Sequence, residues 1–159
     1  MKSYRFSPIR NREQLVKAVR YTALQATALC RKATGKALAI ESLTIFSHYE
    51  SEYKRLCGIL KTMGKKCGEN NGPRVALREP IKVSGNSIKY LRIRMPDPYR
   101  TQVGCNDFKV EDYDEFKRAH LLKDRKNLRL IVRPEYEMIE FFDPDFDVLA
   151  YAMSNKAAI

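Results

Sequence analysis

The chain has 159 residues, of which 44% are apolar and 31% are charged. This composition is typical of a globular protein and excludes the disordered and collagen-like classes. A chain of this length buries enough surface to fold without disulfides or a metal ion. The formal net charge is +11, which favours contact with polyanions without identifying any of them.

The positive charge is concentrated towards the N-terminus. Residues 1–36 carry nine bases and one acid, whereas residues 102–159 carry nine bases and twelve acids. Two interpretations are open: the N-terminal region contacts nucleic acid or an acidic partner, or the protein belongs to a cell whose proteins are generally basic. No RNP-type aromatic motif, zinc finger or glycine-rich KH loop supports the first interpretation.

The cysteines and the N-terminal segment indicate a cytoplasmic protein. Cys30, Cys57, Cys67 and Cys105 form no CxxC pair, so we expect reduced thiols. Residues 1–14 lack the apolar core of a signal peptide, and no stretch approaches the roughly 18 apolar residues that a membrane span needs. We therefore expect neither export nor a membrane contact, and either a monomer or a homodimer.

A long helix is predicted over residues 11–34, which contain no glycine or proline. Asn11 is a suitable N-cap, and Gly35 follows the last turn. The exposed face of this helix carries five bases, which we interpret as a solvated stripe or, less simply, as a polyanion contact. These bases are Arg12, Lys17, Arg20, Arg31 and Lys32.

The next segment predicts a strand, a helix and three short strands. Period-2 and period-3.6 patterns place the strand over residues 37–47 and the helix over residues 49–63. Gly64, Gly68 and the run at residues 70–73 are interpreted as breakers. The three strands predicted after them cover residues 75–77, 80–83 and 87–95.

The same plan begins again after the proline pair at residues 96–98. It predicts a strand over 102–110, a helix over 112–122, and strands over 128–133, 137–142 and 148–153. Residues 51–55 (SEYKR) match residues 114–118 (DEFKR) at an offset of 63. The same offset pairs three strand positions: Ile40 with Val103, Ser42 with Cys105, and Ile45 with Phe108.

These observations predict an α+β fold made of two βαβββ units with an extra N-terminal helix. The helix region covers residues 1–36, the first unit 37–98 and the second unit 99–159, all within one compact domain. Four segments carry a family resemblance: LTIFSHYESEYKRLCGILKTMG, NNGPRVALREPIKV, RMPDPYRTQVGCNDF and the ending IEFFDPDFDVLAYA. They resemble the vicinal oxygen chelate, or glyoxalase-like, superfamily, and within it the YecM-type proteins, a family associated with metal binding. Phe146 stands where the DPDG turn of the superfamily has glycine.

The resemblance implies a curved mixed sheet around a cleft, with a divalent metal held by the first and last strands of each unit. Carried over one at a time, the ligand positions fall on Ser42, on Cys105, on Arg92 or Arg94, and on Ala150. A guanidinium and a methyl group cannot coordinate a cation, so we expect no metal cofactor and no clear enzyme activity. A metal-dependent lyase, isomerase or dioxygenase is the alternative.

Strand alternation places six polar side chains on the cleft face: Ser42, Thr44, Arg92, Arg94, Cys105 and Asp107. Because guanidinium forks match carboxylate and phosphate groups, we expect the cleft to bind a small anionic molecule. In the alternative, Asp107 and Glu140 neutralise the arginines in a structural ion-pair network. Cys105 would be a nucleophile only with a base beside it, and neither His48 nor His120 is placed to act as one.

The acidic run at Asp143, Asp145 and Asp147 does not indicate a calcium site. It lacks the glycine and the glutamate that an EF-hand loop requires at its sixth and twelfth positions. We expect a turn there.

Overall fold

The computed structural model describes residues 4–123 and 126–154. Three parts of the predicted regions lie outside this range: residues 1–3 of the helix region, and residues 124–125 and 155–159 of the second unit. The helices are α1 (Arg12–Thr34), α2 (Glu50–Lys61) and α3 (Tyr113–His120). The strands are β1 (Ala39–Phe46), β2 (Gly64–Gly68), β3 (Arg74–Val83), β4 (Asn86–Arg94), β5 (Gly104–Lys109), β6 (Leu128–Val132), β7 (Glu137–Phe141) and β8 (Val148–Met153).

The described strands form one mixed sheet of eight, in the order β2-β3-β4-β1-β5-β8-β7-β6. The expected α+β class and the leading helix are therefore confirmed. In each half the first strand pairs in parallel with the fourth, and the remaining pairs are antiparallel. The halves meet through the antiparallel pair of β1 and β5, in which Leu43 lies opposite Asn106.

Helix α1 forms as its sequence predicts. The Asn11 side chain accepts a hydrogen bond from the backbone N–H of Gln14 at 2.9 Å. Gly35 takes the left-handed conformation that ends the helix, with φ 75°, and its N–H bonds to the carbonyl of Arg31. These caps satisfy backbone groups that a helix end otherwise leaves unpaired.

The prediction was wrong between the second helix and β4. Residues 64–68 form strand β2 and not the break predicted from Gly64 and Gly68. The two strands predicted over residues 75–77 and 80–83 are parts of one strand, β3. A Cβ at Gly64 would overlap the carbonyl oxygen of Ala76, so the glycine permits a close pairing of two backbones. Pro80 lies in the irregular stretch of pairing between Ala76 and Ile81, where the ladder needs no proline N–H.

The sheet has one covered face and one open face. Side chains such as Leu43 and Ile45 join those of α1 and α2 in a single apolar core. The alternate residues of the same strands project from the other side, which we call the open face; none of the described helices packs there. No helix among the described residues has both the length and the apolarity needed to cross a bilayer.

Candidate functional site

The open face holds all seven predicted site residues. Pairing places Ser42 opposite Asp107, and places Thr44 between Cys105 on β5 and Arg92 on β4. Arg94 follows on the same side of β4, next to Phe46. These six form one group at the centre of the sheet, whereas Glu140 lies on β7, beyond β8.

Arg74 is a further member of this group that the sequence did not reveal. It lies on β3 directly opposite Arg92. One of its guanidinium nitrogens is 3.5 Å from the Ser42 hydroxyl, and its guanidinium carbon is 4.2 Å from the centre of the Tyr90 ring. Only the strand register, which appears once β3 is known to begin at residue 74, could have placed it here.

Arg92 is the least satisfied group of the open face. Its Nε is buried and has no hydrogen-bond partner. Burial and the neighbouring Arg74 both lower its pKa, which reflects the unfavourable proximity of two cations. Like charges directly opposite on neighbouring strands are destabilising, so this pair favours an anion between or above them.

Asp107 is the acid nearest to these arginines. Burial raises its pKa to about 6, although the positive charges of Arg92 and then Arg74 act in the opposite direction. The carboxylate forms no ion pair with either arginine. It therefore provides only partial compensation for two guanidinium groups.

Cys105 has no means of activation. Burial, and to a smaller extent Asp107, raises the pKa of its thiol to about 12, so the thiol is protonated at neutral pH. The His48 ring contacts Ser7 and the carbonyl of Gln102, and His120 packs on Phe116. Neither histidine contacts the thiol, which agrees with the expectation of a small packed residue.

Glu140 does not neutralise the central arginines, which contradicts the alternative of a structural ion-pair network that includes it. It is 1% exposed and accepts a hydrogen bond from Arg129 Nε at 3.1 Å. The Tyr151 hydroxyl donates to its other oxygen at 3.0 Å. Because β8, β5 and β1 separate β7 from β4, Glu140 forms its own network with Arg129 and Tyr151.

The residues at the metal-ligand positions do not fit a divalent cation. Ala150 is fully buried and lies opposite Asn106 on the covered side of the sheet, so its assignment to the cleft was wrong. The positions on the open face offer a serine hydroxyl, a protonated thiol and guanidinium groups, which are poor ligands. Across residues 4–123 and 126–154, no group of three or more His, Cys, Asp or Glu side chains could hold a metal ion.

We expect Asp107→Asn to remove a pH-dependent loss of stability. Because the folded pKa of about 6 exceeds the ordinary 3.8, the folded state binds the proton more tightly. The stabilisation of the folded state by protonated Asp107 is complete below about pH 4 and is lost as the pH rises through 6. Urea unfolding should therefore show the variant more stable than the unmodified protein by about 2 kcal/mol at pH 7, and equal to it near pH 4. An equal difference at both pH values would contradict this.

Comparison with known proteins shows that the fold is similar to that of a solved structure. No family model and no curated protein matches the chain. A solved structure named Structural Genomics, Protein EC4020, is similar, with a TM-score of 0.63 over 91% of this chain and 92% of that one. The two sequences are 13% identical. At that identity the two proteins share a fold.

Proposed function

We propose that the open face binds a small anionic molecule without a metal cofactor, in a duplicated glyoxalase-like fold of the vicinal oxygen chelate type. Two features support the duplication. The halves have the same strand connectivity. In addition, Leu43 and Asn106, which lie opposite each other where the halves meet, are 63 residues apart, the same offset as the repeated helix sequence.

The pair of arginines on β3 and β4 carries the proposal. Arg74 and Arg92 present two guanidinium groups side by side, and neither forms an ion pair with a described acid. The buried Nε of Arg92 is an unused donor. A carboxylate or phosphate accepts two parallel hydrogen bonds from one guanidinium. Such a ligand would satisfy the free donor and relieve the repulsion between the two cations.

The chemistry of the site favours binding over catalysis. Its thiol is protonated, and no histidine adjoins it within the described residues. Ser42 lies opposite Asp107 but forms no hydrogen bond to its carboxylate, and Thr44 forms none to a described acid or histidine, so neither hydroxyl is activated. We therefore infer a binding protein, and the four free thiols agree with a reducing compartment such as the cytoplasm.

Thermal unfolding of Arg92→Met tests the proposal. Inorganic phosphate or malonate, compared with chloride at equal ionic strength, should raise the melting temperature of the unmodified protein. A ligand at 100 times its Kd stabilises by about 2.7 kcal/mol, or roughly 5–10 °C for a chain of this size. We expect Arg92→Met to reduce this shift to below about 1 °C.

Arg118→Met is the matched control, because it removes the same charge from the exposed surface of α3. This variant should keep the full anion-dependent shift. Retention of the shift by Arg92→Met, or its equal loss in both variants, would contradict binding at the arginine pair.

A further inference from the structure

A second cationic region lies beside helix α1, which packs on the covered side of the sheet. It is an open groove of about 770 Å³ between the N-terminal half of α1 and strand β3, which we call the α1–β3 groove. Its floor includes the buried side chains of Met63 and Ile81. It is therefore separate from the open face, and its occupancy is independent of the proposed anion site.

The walls of the α1–β3 groove are strongly basic. Arg12 and Arg20 line it from α1, Arg78 and Lys82 line it from β3, and Glu79 is the one acid among the lining residues. Arg12, Arg20 and Lys82 form no ion pair with a described residue. Arg78 donates a hydrogen bond to the carbonyl of Thr62, which leaves its charge uncompensated. The groove thus combines four cations with a single acid.

The bases of α1 differ in their contacts, which the sequence could not show. Lys32, near the C-terminal end of the helix, is paired with Asp143 at 2.5 Å and serves the packing of α1 on the turn before β8. Arg12 and Arg20, at the other end, face the groove unpaired. Within the predicted basic stripe, Lys32 therefore supports the packing of α1, whereas Arg12 and Arg20 are available for binding.

The spacing of these charges indicates a polyanion. Arg12 and Arg20 are eight residues apart on one helix, so their Cα atoms are about 12 Å apart along its axis. A single small anion carries too few charges to compensate all four cations of the groove. Duplex DNA presents one charge per roughly 1.7 Å of its axis, or about seven over that distance, and can engage all four cations together.

We propose that the α1–β3 groove binds the phosphate backbone of nucleic acid without reading its sequence. No aromatic side chain lines the groove, so the contacts are to phosphates and not to stacked bases. The groove also has no exposed large apolar side chain, the anchor that a protein partner would require.

Salt-dependent binding of the full chain tests this proposal. Fluorescence anisotropy would follow a labelled 20-base-pair DNA duplex and a 20-nucleotide single-stranded RNA between 50 and 200 mM NaCl. Four phosphate contacts predict a slope of log K against log salt of about −3.6 for the duplex and about −2.8 for the single strand. For duplex DNA, Arg12→Gln/Arg20→Gln should make the slope less negative by about 2.

Lys54→Gln/Arg55→Gln is the matched control, because both side chains are exposed on α2 and lie outside the groove. It removes the same charge and should change the slope by less than about 0.5. An equal change in both double variants would show diffuse attraction and overturn the proposal. Absence of binding at 50 mM salt would also overturn it, as would displacement by poly-glutamate as effective as displacement by unlabelled DNA. Arg92→Met should leave the slope unchanged. A less negative slope in this variant would show that nucleic acid contacts the open face and would overturn the proposal.

Discussion

Replacement of Glu52 by alanine is expected to lower the free energy of unfolding by about 3–5 kcal/mol. Glu52 is fully buried on the first turn of α2. It accepts hydrogen bonds from the backbone N–H groups of Ile9 at 2.6 Å and His48 at 2.7 Å, and from the Ser7 hydroxyl at 3.1 Å. Alanine would leave the two backbone N–H groups without an acceptor, which is the costly form of a lost hydrogen bond, whereas the Ser7 hydroxyl would keep its contact with His48 Nδ1. The melting temperature should fall by roughly 10 °C.

The consequence extends beyond α2, because Glu52 holds the segment that precedes α1. Through Ser7 and Ile9 it attaches residues 4–10 to the junction of β1 and α2, where Tyr4 also stacks on His48 with ring centres 4.1 Å apart. We therefore expect Glu52→Ala to increase proteolysis within residues 4–10 under native conditions.

Glu115→Ala is the control for this prediction. Glu115 lies 63 residues further on, at the corresponding place in the first turn of α3, but it is exposed. Its replacement should change stability by less than about 0.5 kcal/mol. A comparable loss in both variants would mean that the effect arises from helix propensity or the helix dipole and not from the buried hydrogen bonds.

The contrast between Glu52 and Glu115 shows what the repeat in the sequence could and could not predict. The five matched positions correctly indicated two helices in equivalent places in the strand order. They could not indicate burial, because burial at Glu52 depends on the N-terminal segment, which passes over only the first of these helices. A contact with a segment about 43 residues away leaves no trace in local periodicity.

The side chains of the open face could be predicted because they depend on a local pattern. In a strand, alternation alone assigns a side chain to one of two faces, and this correctly grouped Ser42, Thr44, Cys105 and Asp107. Assignment within a face also requires strand order and register. The error at Ala150 is a slip of one residue, which moves a side chain to the other face.

The two halves of the open face differ in their charge balance. Arg74 lies opposite Arg92 on the strand next to β4, and Glu140 lies opposite Tyr151 at the corresponding place next to β8. Glu140 is already engaged by Arg129 and Tyr151, whereas the arginine pair has no equivalent acid. An anionic ligand is therefore expected in the first half, and a search for its contacts should begin at β3 and β4.

Substitution of Gly104 by alanine is expected to destabilise the protein by about 3 kcal/mol or more. Gly104 is the first residue of β5, buried between Ile45 on β1 and Val148 on β8. A Cβ there would overlap the carbonyl oxygen of Thr44. The obstacle is backbone and not the end of a flexible side chain, so β1 and β5 must separate to accommodate it. The two halves of the sheet meet at this pair of strands, and chemical denaturation should show a corresponding fall in the unfolding midpoint.

The same glycine-to-alanine change at Gly58 is expected to increase stability. Gly58 lies within α2 and is exposed, and a Cβ there meets no atom within 4 Å. Alanine is favoured over glycine in a helix by about 0.5–1 kcal/mol, so this variant should be more stable than the unmodified protein. If Gly104→Ala were tolerated as well as Gly58→Ala, the close approach of β1 and β5 would be wrong. The register that brings Thr44 and Cys105 together on the open face would then be wrong with it.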